Sequence, residues 1–294
     1  MLFGEYAVLD GASCLAVPTR QGQTMSVKNY SGTDLKWTSL DPDGNKWFQC
    51  DISLYDFSAV KTSDEEVSKK LKKILKSAVR LNCEFLDKWK AFKVETRLEF
   101  PPNWGLGSSS SLIYMIAQWA EVSPLELYFR CENGSGYDVV CAGVDGPIEY
   151  WSTDEEISYS KVNFNPKFSD QIYFVHLNEK QSSTQGIKEY LKAVKDKISL
   201  VNKITEITES AIESSSLEDF EKLMIAHEDL IAHHTGFTKV KEERFSDYWG
   251  CVKSLGAWGG DFVMVTSERP QEEVLSYFKN KGYPTCLGYK DIIL

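Results

Sequence analysis

The segment Glu99-Phe100-Pro101-Pro102-Asn103-Trp104-Gly105-Leu106-Gly107-Ser108-Ser109-Ser110-Ser111 places a glycine-serine loop between an extended run and a helical one. Residues of these types hold anions. Glycines let backbone approach a ligand closely, and serines offer hydroxyls. A helix starting at the serines would aim unsatisfied N–H groups and its positive dipole end at a phosphate. Taken alone, the loop fits a tight strand-to-helix turn equally well. It lacks the lysine of G-x-x-x-x-G-K-[ST], and it is not G-x-G-x-x-G.

The flanking residues predict the elements that would hold this loop. Phe92 to Glu99 alternates apolar or β-branched residues with charged ones, as a half-buried strand does, and Leu112, Ile113, Met115, Ile116, Trp119 and Ala120 recur at helical spacing. Upstream, the first hundred residues read as mostly extended, with turn signals at Asp10-Gly11, Ser31-Gly32 and Asp41-Pro42-Asp43-Gly44. One helix is predicted there, from Glu65 to about Trp89, with a lysine face (Lys69, Lys70, Lys72, Lys73, Lys76) that reads as solvated. Downstream, Gly146 to Trp151 predicts a strand, and Ser152 to Phe168 is polar enough for a connection. Gln171 to Leu177 predicts another strand, followed by helices over Ile187 to Ser214 and Leu217 to His234, the second capped by Ser216. A short helix over Glu243 to Leu255, a strand over Phe262 to Thr266, a helix over Pro270 to Lys279 and a strand near Thr285 to Leu287 complete the reading. The fold class is α+β in two lobes, divided near residue 165.

Composition narrows the chemistry. The chain has 294 residues, 42% of them hydrophobic, enough for one large or two medium domains. A formal net charge of -10 and a pI near 5.1 argue against general affinity for nucleic acid or an anionic membrane. No run of apolar residues is long enough for a membrane span. The seven cysteines are odd in number and contain no C-x-x-C pair, so reduced thiols in a cytoplasmic protein are the expectation. His227, His233 and His234, with Glu228 and Asp229, lack a recognised metal spacing and read as a partly solvated helix end.

Two further segments give the loop a context. Gly4-Glu5-Tyr6-Ala7-Val8-Leu9-Asp10-Gly11-Ala12 and Lys253-Ser254-Leu255-Gly256-Ala257-Trp258-Gly259-Gly260-Asp261-Phe262 resemble the first and third motifs of the GHMP small-molecule kinases. The Pro101 to Ser111 loop resembles their second. Gly134-Ser135-Gly136-Tyr137-Asp138-Val139-Val140-Cys141-Ala142 resembles the signature of a bacterial branch associated with the mevalonate route to isoprenoids.

The resemblance implies an N-terminal ATP-binding domain (1–165) of mixed sheet and helices and a C-terminal ferredoxin-like domain (166–294). It implies ATP and Mg²⁺ as cofactors, a small-molecule substrate with mevalonate first, and a homodimer as an open expectation. Asn103, Trp104, Gly105, Leu106, Gly107, Ser108, Ser109 and Ser110 would hold ATP, with Ser109 also on Mg²⁺. Asp138 would accept or orient the acceptor's hydroxyl proton; the plainer reading is a helix N-cap. Glu5, Tyr6, Asp10, Gly136, Tyr137, Gly259 and Gly260 would lie on the substrate side.

Several departures stand out. Tyr6 replaces the usual histidine of mevalonate kinases and Trp258 a usual glycine. Glu121, Glu126 and Glu132 are candidates for a second Mg²⁺ carboxylate, but Leu127 stands at the family spacing. A family lysine before the Gly-Glu pair would precede Met1, so the recorded start is expected to be internal to the gene. Lys180 to Thr184 resembles a substrate-side segment, with an N-cap as the plain alternative. Phosphomevalonate is the alternative acceptor, and Lys180, Lys239 and Arg244 are the cations that could meet its phosphate. A nucleotide-binding protein without catalysis, and an interaction protein whose glycine motifs are only turns, are the readings from other classes.

Overall fold

The computed structural model describes residues 1–86, 90–153, 156–179 and 183–294. In chain order the strands are β1 (Cys14–Ala16), β2 (Gln23–Tyr30), β3 (Asp34–Leu40), β4 (Lys46–Ser53), β5 (Ala59–Thr62), β6 (Ala91–Leu98), β7 (Ile148–Ser152), β8 (Ile157–Lys161), β9 (Ile172–His176), β10 (Val252–Ser254), β11 (Phe262–Thr266) and β12 (Cys286–Gly288). The helices are α1 (Glu65–Leu81), α2 (Ser108–Ala120), α3 (Pro124–Cys131), α4 (Tyr137–Cys141), α5 (Ser183–Ala193), α6 (Lys197–Glu213), α7 (Leu217–Thr235), α8 (Val240–Arg244), α9 (Gln271–Asn280) and α10 (Tyr289–Ile292). Two compact units result. The first comprises residues 1–20, 103–105 and 144–294; the second comprises 21–102 and 106–143.

In the second unit the five strands run in the order β2-β6-β3-β4-β5, antiparallel except for the β3–β6 pair. The strand leading to the loop is central and as expected: β6 buries Val94, Thr96 and Leu98 on one face and leaves Glu95 and Arg97 on the other. Helix α1 begins at Asp64, whose carboxylate accepts the N–H groups of Glu66 and Val67 at 2.9 and 3.0 Å. It ends eight residues before the expected Trp89, because Asn82 leaves helical geometry and donates its side-chain amide to Ala120 O at 2.8 Å. Residues 87–89 lie outside the described residues. Leu71, Leu75 and Ala78 of α1, Ile113 and Ile116 of α2 and Leu127 of α3 join Trp37 and Phe48 in one core.

The first unit holds two antiparallel sheets, β1-β7-β8 and β10-β11-β9-β12. In the second of these, the chain runs strand (β9), helices (α5 to α8), strands (β10, β11), helix (α9) and strand (β12), which is the ferredoxin-like order. The class is α+β.

Three sequence expectations are corrected here. The helix predicted over Ile187 to Ser214 is two helices, because Asp196 leaves the helix and caps α6 by accepting Ser199 N–H at 3.1 Å. The helix predicted over Glu243 to Leu255 does not form there: α8 begins earlier, at Val240, and ends at Arg244, and β10 follows. Tyr248 OH donates to Thr266 O at 2.9 Å and Cys251 N–H to Thr266 Oγ1 at 3.0 Å, which draws the chain onto β11. The connection predicted over Ser152 to Phe168 contains β8, an edge strand of mostly exposed side chains, which is why it reads as polar. Among the described residues, no helix is long and apolar enough to cross a membrane, and no disulfide forms.

Candidate active site

The second unit carries the start of α2. Gly107 precedes the helix at φ 78°, a left-handed conformation that costs a side-chain-bearing residue energy, and a Cβ there would meet nothing within 4 Å. No side chain caps the first turn. Ser111 N–H closes the turn on Gly107 O at 2.9 Å, and the Ser111 hydroxyl donates to Gln23 Oε1 at 2.8 Å. Ser109 is exposed on this turn and Ser110 buried beneath it. A helix start with uncapped N–H groups, open space and an exposed hydroxyl suits an anion.

Ser110 also ties this turn to α4. Its hydroxyl donates to Asp138 Oδ2, and Val139 N–H donates to Asp138 Oδ1 at 3.0 Å. The cap position of α4 is Gly136, with Tyr137 opening the helix, so Asp138 sits inside the first turn rather than capping it. Burial pushes the Asp138 carboxyl above the usual carboxylate range, while the bonds from Ser110 and Val139 pull it back. The candidate metal carboxylates lie elsewhere on the unit's helices. Glu121 ends α2 in left-handed geometry, Glu126 meets Arg130 at 3.4 Å, and Glu132 ends α3. Leu127 is core.

Asn103, Trp104 and Gly105 belong to the first unit, and the chain passes into the second at Leu106. Asn103 O lies 3.3 Å from His176 Nε2, and the Trp104 ring meets Phe262 edge-on with centroids 5.6 Å apart. Gly105 packs against the carboxyl group of Asp261, which any Cβ at that position would overlap. Asp261 is fixed by its backbone, donating to Glu179 O and accepting from Leu177 N–H, both at 2.8 Å. This contact explains the glycine, and the sequence reading assigned Asp261 no role. Gly259 has open space at its Cβ position, and Gly260 N–H bonds Ala257 O at 3.3 Å.

The Gly-Glu-Tyr segment of the first unit divides into a buried and an open part. Glu5 is 2% exposed, with Oε2 at 2.7 Å from Lys253 Nζ and 3.2 Å from His227 Nε2. His227 Nε2 also lies 3.1 Å from the backbone nitrogen of Gly4. Burial, and then Lys253, hold this imidazole well below its ordinary value. Glu228 accepts Ser254 N–H at 3.0 Å, and burial pushes it up to about 8 against the pull of Lys253. The expectation of a partly solvated helix end is corrected for His227 and Glu228, which face the core. Asp10 is also engaged, accepting Tyr190 OH at 2.7 Å and Lys197 Nζ at 2.5 Å. Among the described residues, no group of His, Cys, Asp or Glu forms a metal cluster.

Tyr6 faces the open part. Its hydroxyl accepts Trp258 N–H at 3.0 Å and its ring stacks on Tyr190, with centroids 5.3 Å apart. Tyr6 and Trp258 wall a cavity of about 390 Å³ inside this unit, together with Glu189, Phe237, Thr238 and Arg244, and Gly259 at its rim. The structure thus joins the first and third glycine motifs at one cavity. The segment Lys180 to Ser182 lies outside the described residues.

No family profile and no curated protein matches this sequence. Solved structures do match across nearly its whole length. Leishmania major mevalonate kinase in complex with R-mevalonate is 16% identical, with a TM-score of 0.66 over 95% of this chain and 88% of that one. Streptococcus pneumoniae phosphomevalonate kinase, in complex with phosphomevalonate and AMPPNP, is 18% identical, with a TM-score of 0.65 over 99% of this chain and 94% of that one. Lactococcus lactis galactokinase complexed with galactose is 15% identical, with a TM-score of 0.67 over 97% and 89%. The strand order, the ferredoxin-like sheet and these alignments agree: this chain has the fold of the GHMP small-molecule kinases.

Proposed function

We propose that this chain is an ATP-dependent, Mg²⁺-requiring kinase that phosphorylates a small-molecule hydroxyl, with mevalonate as acceptor and phosphomevalonate as product in isoprenoid biosynthesis. The observation that carries this reading is the Ser110–Asp138 bond, which sets a half-buried carboxylate beside the uncapped start of α2. In sequence terms residues 1–165 are the nucleotide-binding domain and 166–294 the second domain, although residues 1–20, 103–105 and 144–165 group with the C-terminal residues in one compact unit.

On this reading Asn103 to Ser110 hold the nucleotide's phosphates, with N–H groups of the first turn of α2 as donors. Hard oxygen donors suit Mg²⁺, and the Ser109 hydroxyl on the exposed turn fits that requirement. When bound, the cation would neutralise phosphate charge as it builds up during transfer. Asp138 takes the proton of the acceptor hydroxyl as that oxygen bonds to the γ-phosphorus, and the bond from phosphorus to the ADP oxygen breaks. Ser110 and Val139 hold the carboxylate in one orientation for this step. Desolvation makes Asp138 a stronger base than an exposed aspartate.

Purified protein with ATP, Mg²⁺ and mevalonate should form ADP and phosphomevalonate. Asp138→Asn should lower kcat by about 10²- to 10⁴-fold with nucleotide binding retained. It should also abolish an acid limb in kcat/KM lying above the usual aspartate range, because turnover is lost as falling pH protonates the raised carboxyl. Unchanged turnover would remove Asp138 from the chemistry. Nucleotide binding without turnover of any acceptor would make the chain a binding protein.

A further inference from the structure

The five-stranded sheet of the second unit has an open edge along β2. Eight residues long, β2 is the longest strand at any sheet edge among the described residues, and it pairs with β6 from 23 to 30 without a register shift. Its other side is unpaired: among the described residues, 24–30 make no backbone hydrogen bond beyond the β6 ladder. The opposite edge, β5, is four residues long and meets β4 across a register shift. Short, irregular or proline-bearing edges discourage pairing, and β2 has none of these defences. On the core side Val94 and Thr96 of β6 are buried, whereas Met25 and Val27 beside them are only partly covered.

The solvent-facing side of this sheet carries a row of like charges. Register places Lys28 opposite Lys93, Lys93 opposite Lys36 and Lys36 opposite Asp51. Like charges directly opposite one another on a sheet repel. Lys36 has Asp51 beside it, and the Lys36 and Lys93 ammoniums lie 5.6 and 5.2 Å from the centre of the Tyr30 ring. Lys28, at the edge, is exposed and has no partner among the described residues. An anion stands at the other end of the same edge. Glu99 is exposed and accepts Gly22 N–H at 2.9 Å through one carboxylate oxygen, and it forms no ion pair among the described residues. Gly22, with no side chain, leaves that carboxylate uncovered.

We propose that β2 pairs antiparallel with β2 of a second copy of this chain, about a two-fold axis at Met25, so that two five-stranded sheets continue into one. The side chains then match. Thr24 stands opposite Ser26 on the outer side, while on the core side Met25 meets Met25 and Gln23 meets Val27. Lys28 of each copy falls opposite Gly22 of the other, in the outer row that Glu99 occupies through its N–H bond to Gly22 O at 3.0 Å. Two symmetric Lys28–Glu99 pairs therefore form, and each sets a carboxylate at the end of a lysine row. Other registers fit worse. An axis between Met25 and Ser26 sets apolar side chains against polar ones throughout, and an axis at Ser26 sets Lys28 opposite Thr24 and beside Arg97, like against like. The pairing is independent of the kinase reading.

Sedimentation velocity of the full chain at micromolar concentrations tests the pairing. Wild type should sediment as a dimer. Lys28→Glu and Glu99→Lys should each raise the dimer dissociation constant by about 10-fold or more, because like charges then face each other twice per dimer. The double reversal Lys28→Glu/Glu99→Lys should return it to within a few-fold of wild type, which a misfolded variant could not do. A second measurement reads the register. In a Cys83→Ser background, Met25→Cys should form a disulfide-linked dimer with the thiol oxidant diamide, since residues directly opposite in an antiparallel pair lie about 4.5–5.5 Å apart at Cα, within disulfide reach. Val27→Cys, which faces Gln23, should cross-link no more than the background does. A wild type that stays monomeric at tens of micromolar, a dimer indifferent to both single reversals, or equal cross-linking through positions 25 and 27 would overturn the proposal.

Discussion

Lys253 is fully buried, and its ammonium is matched by Glu5 at 2.7 Å, by Ser254 O at 3.1 Å and by the face of Phe3 at 5.3 Å. The pair locks the Gly-Glu turn of the first motif to the lysine that opens the third. Removing one member of a buried pair strands the other's charge, which costs more than the pair itself contributes. Lys253→Met should therefore destabilise the protein by about 3–5 kcal/mol in denaturant unfolding. Adding Glu5→Gln should restore much of the loss. None of this was legible beforehand. His227 and Gly4 are bonded across 223 residues, and the sequence shows only a histidine near a helix end. A glutamate beside a glycine reads the same whether it faces a ligand or the core. Ser110 was legible as part of the glycine-serine loop, but its bond to Asp138 depends on the packing of α2 on α4.

At the scale of elements, the strand, loop and helix around Gly105 were legible to within about a residue, because alternation, glycine and helical spacing follow one another without conflict. The loop's internal constraint was not, because it comes from Asp261, distant in sequence and just before β11. Gly105→Ala should force the Asp261 carboxyl aside and strain a residue at φ 67°. The expected cost is about 1–3 kcal/mol in the denaturation midpoint, with weaker ATP binding by calorimetry. The break between α5 and α6 was hidden for a different reason. Apolar residues keep helical spacing through Val194 and Ile198, and only the short cap at Asp196 interrupts them. Likewise β10 is three residues long and fully buried, too short for any periodicity to separate it from the helix before it.

For the molecule as a whole, the buried carboxyl of Glu228 ties stability to pH. Its pKa is about 8 in the folded chain against 4.5 when solvated. Its favourable contribution is fully present below pH 4.5 and is lost as pH rises through about 8, because the unfolded chain releases the proton first. Thermal unfolding of wild type should therefore show a melting temperature that declines over this window, and Glu228→Gln should flatten that decline. The two-unit organisation shows the limit of a linear reading, since the first unit gathers residues 1–20, 103–105 and 144–294, which the second unit separates in sequence. Strand β1 pairs with β7, Leu294 N–H bonds Pro18 O at 3.1 Å, and Arg20 Nε bonds Lys290 O at 2.8 Å. On a ribosome, the second unit has all its residues in hand by Gly143 and can close its sheet and helices while synthesis continues. Residues 1–20, translated before the second unit, must wait for residues 144–294 to emerge before their own contacts are complete. The Glu5 end of the Glu5–Lys253 pair thus spends most of elongation without its partner.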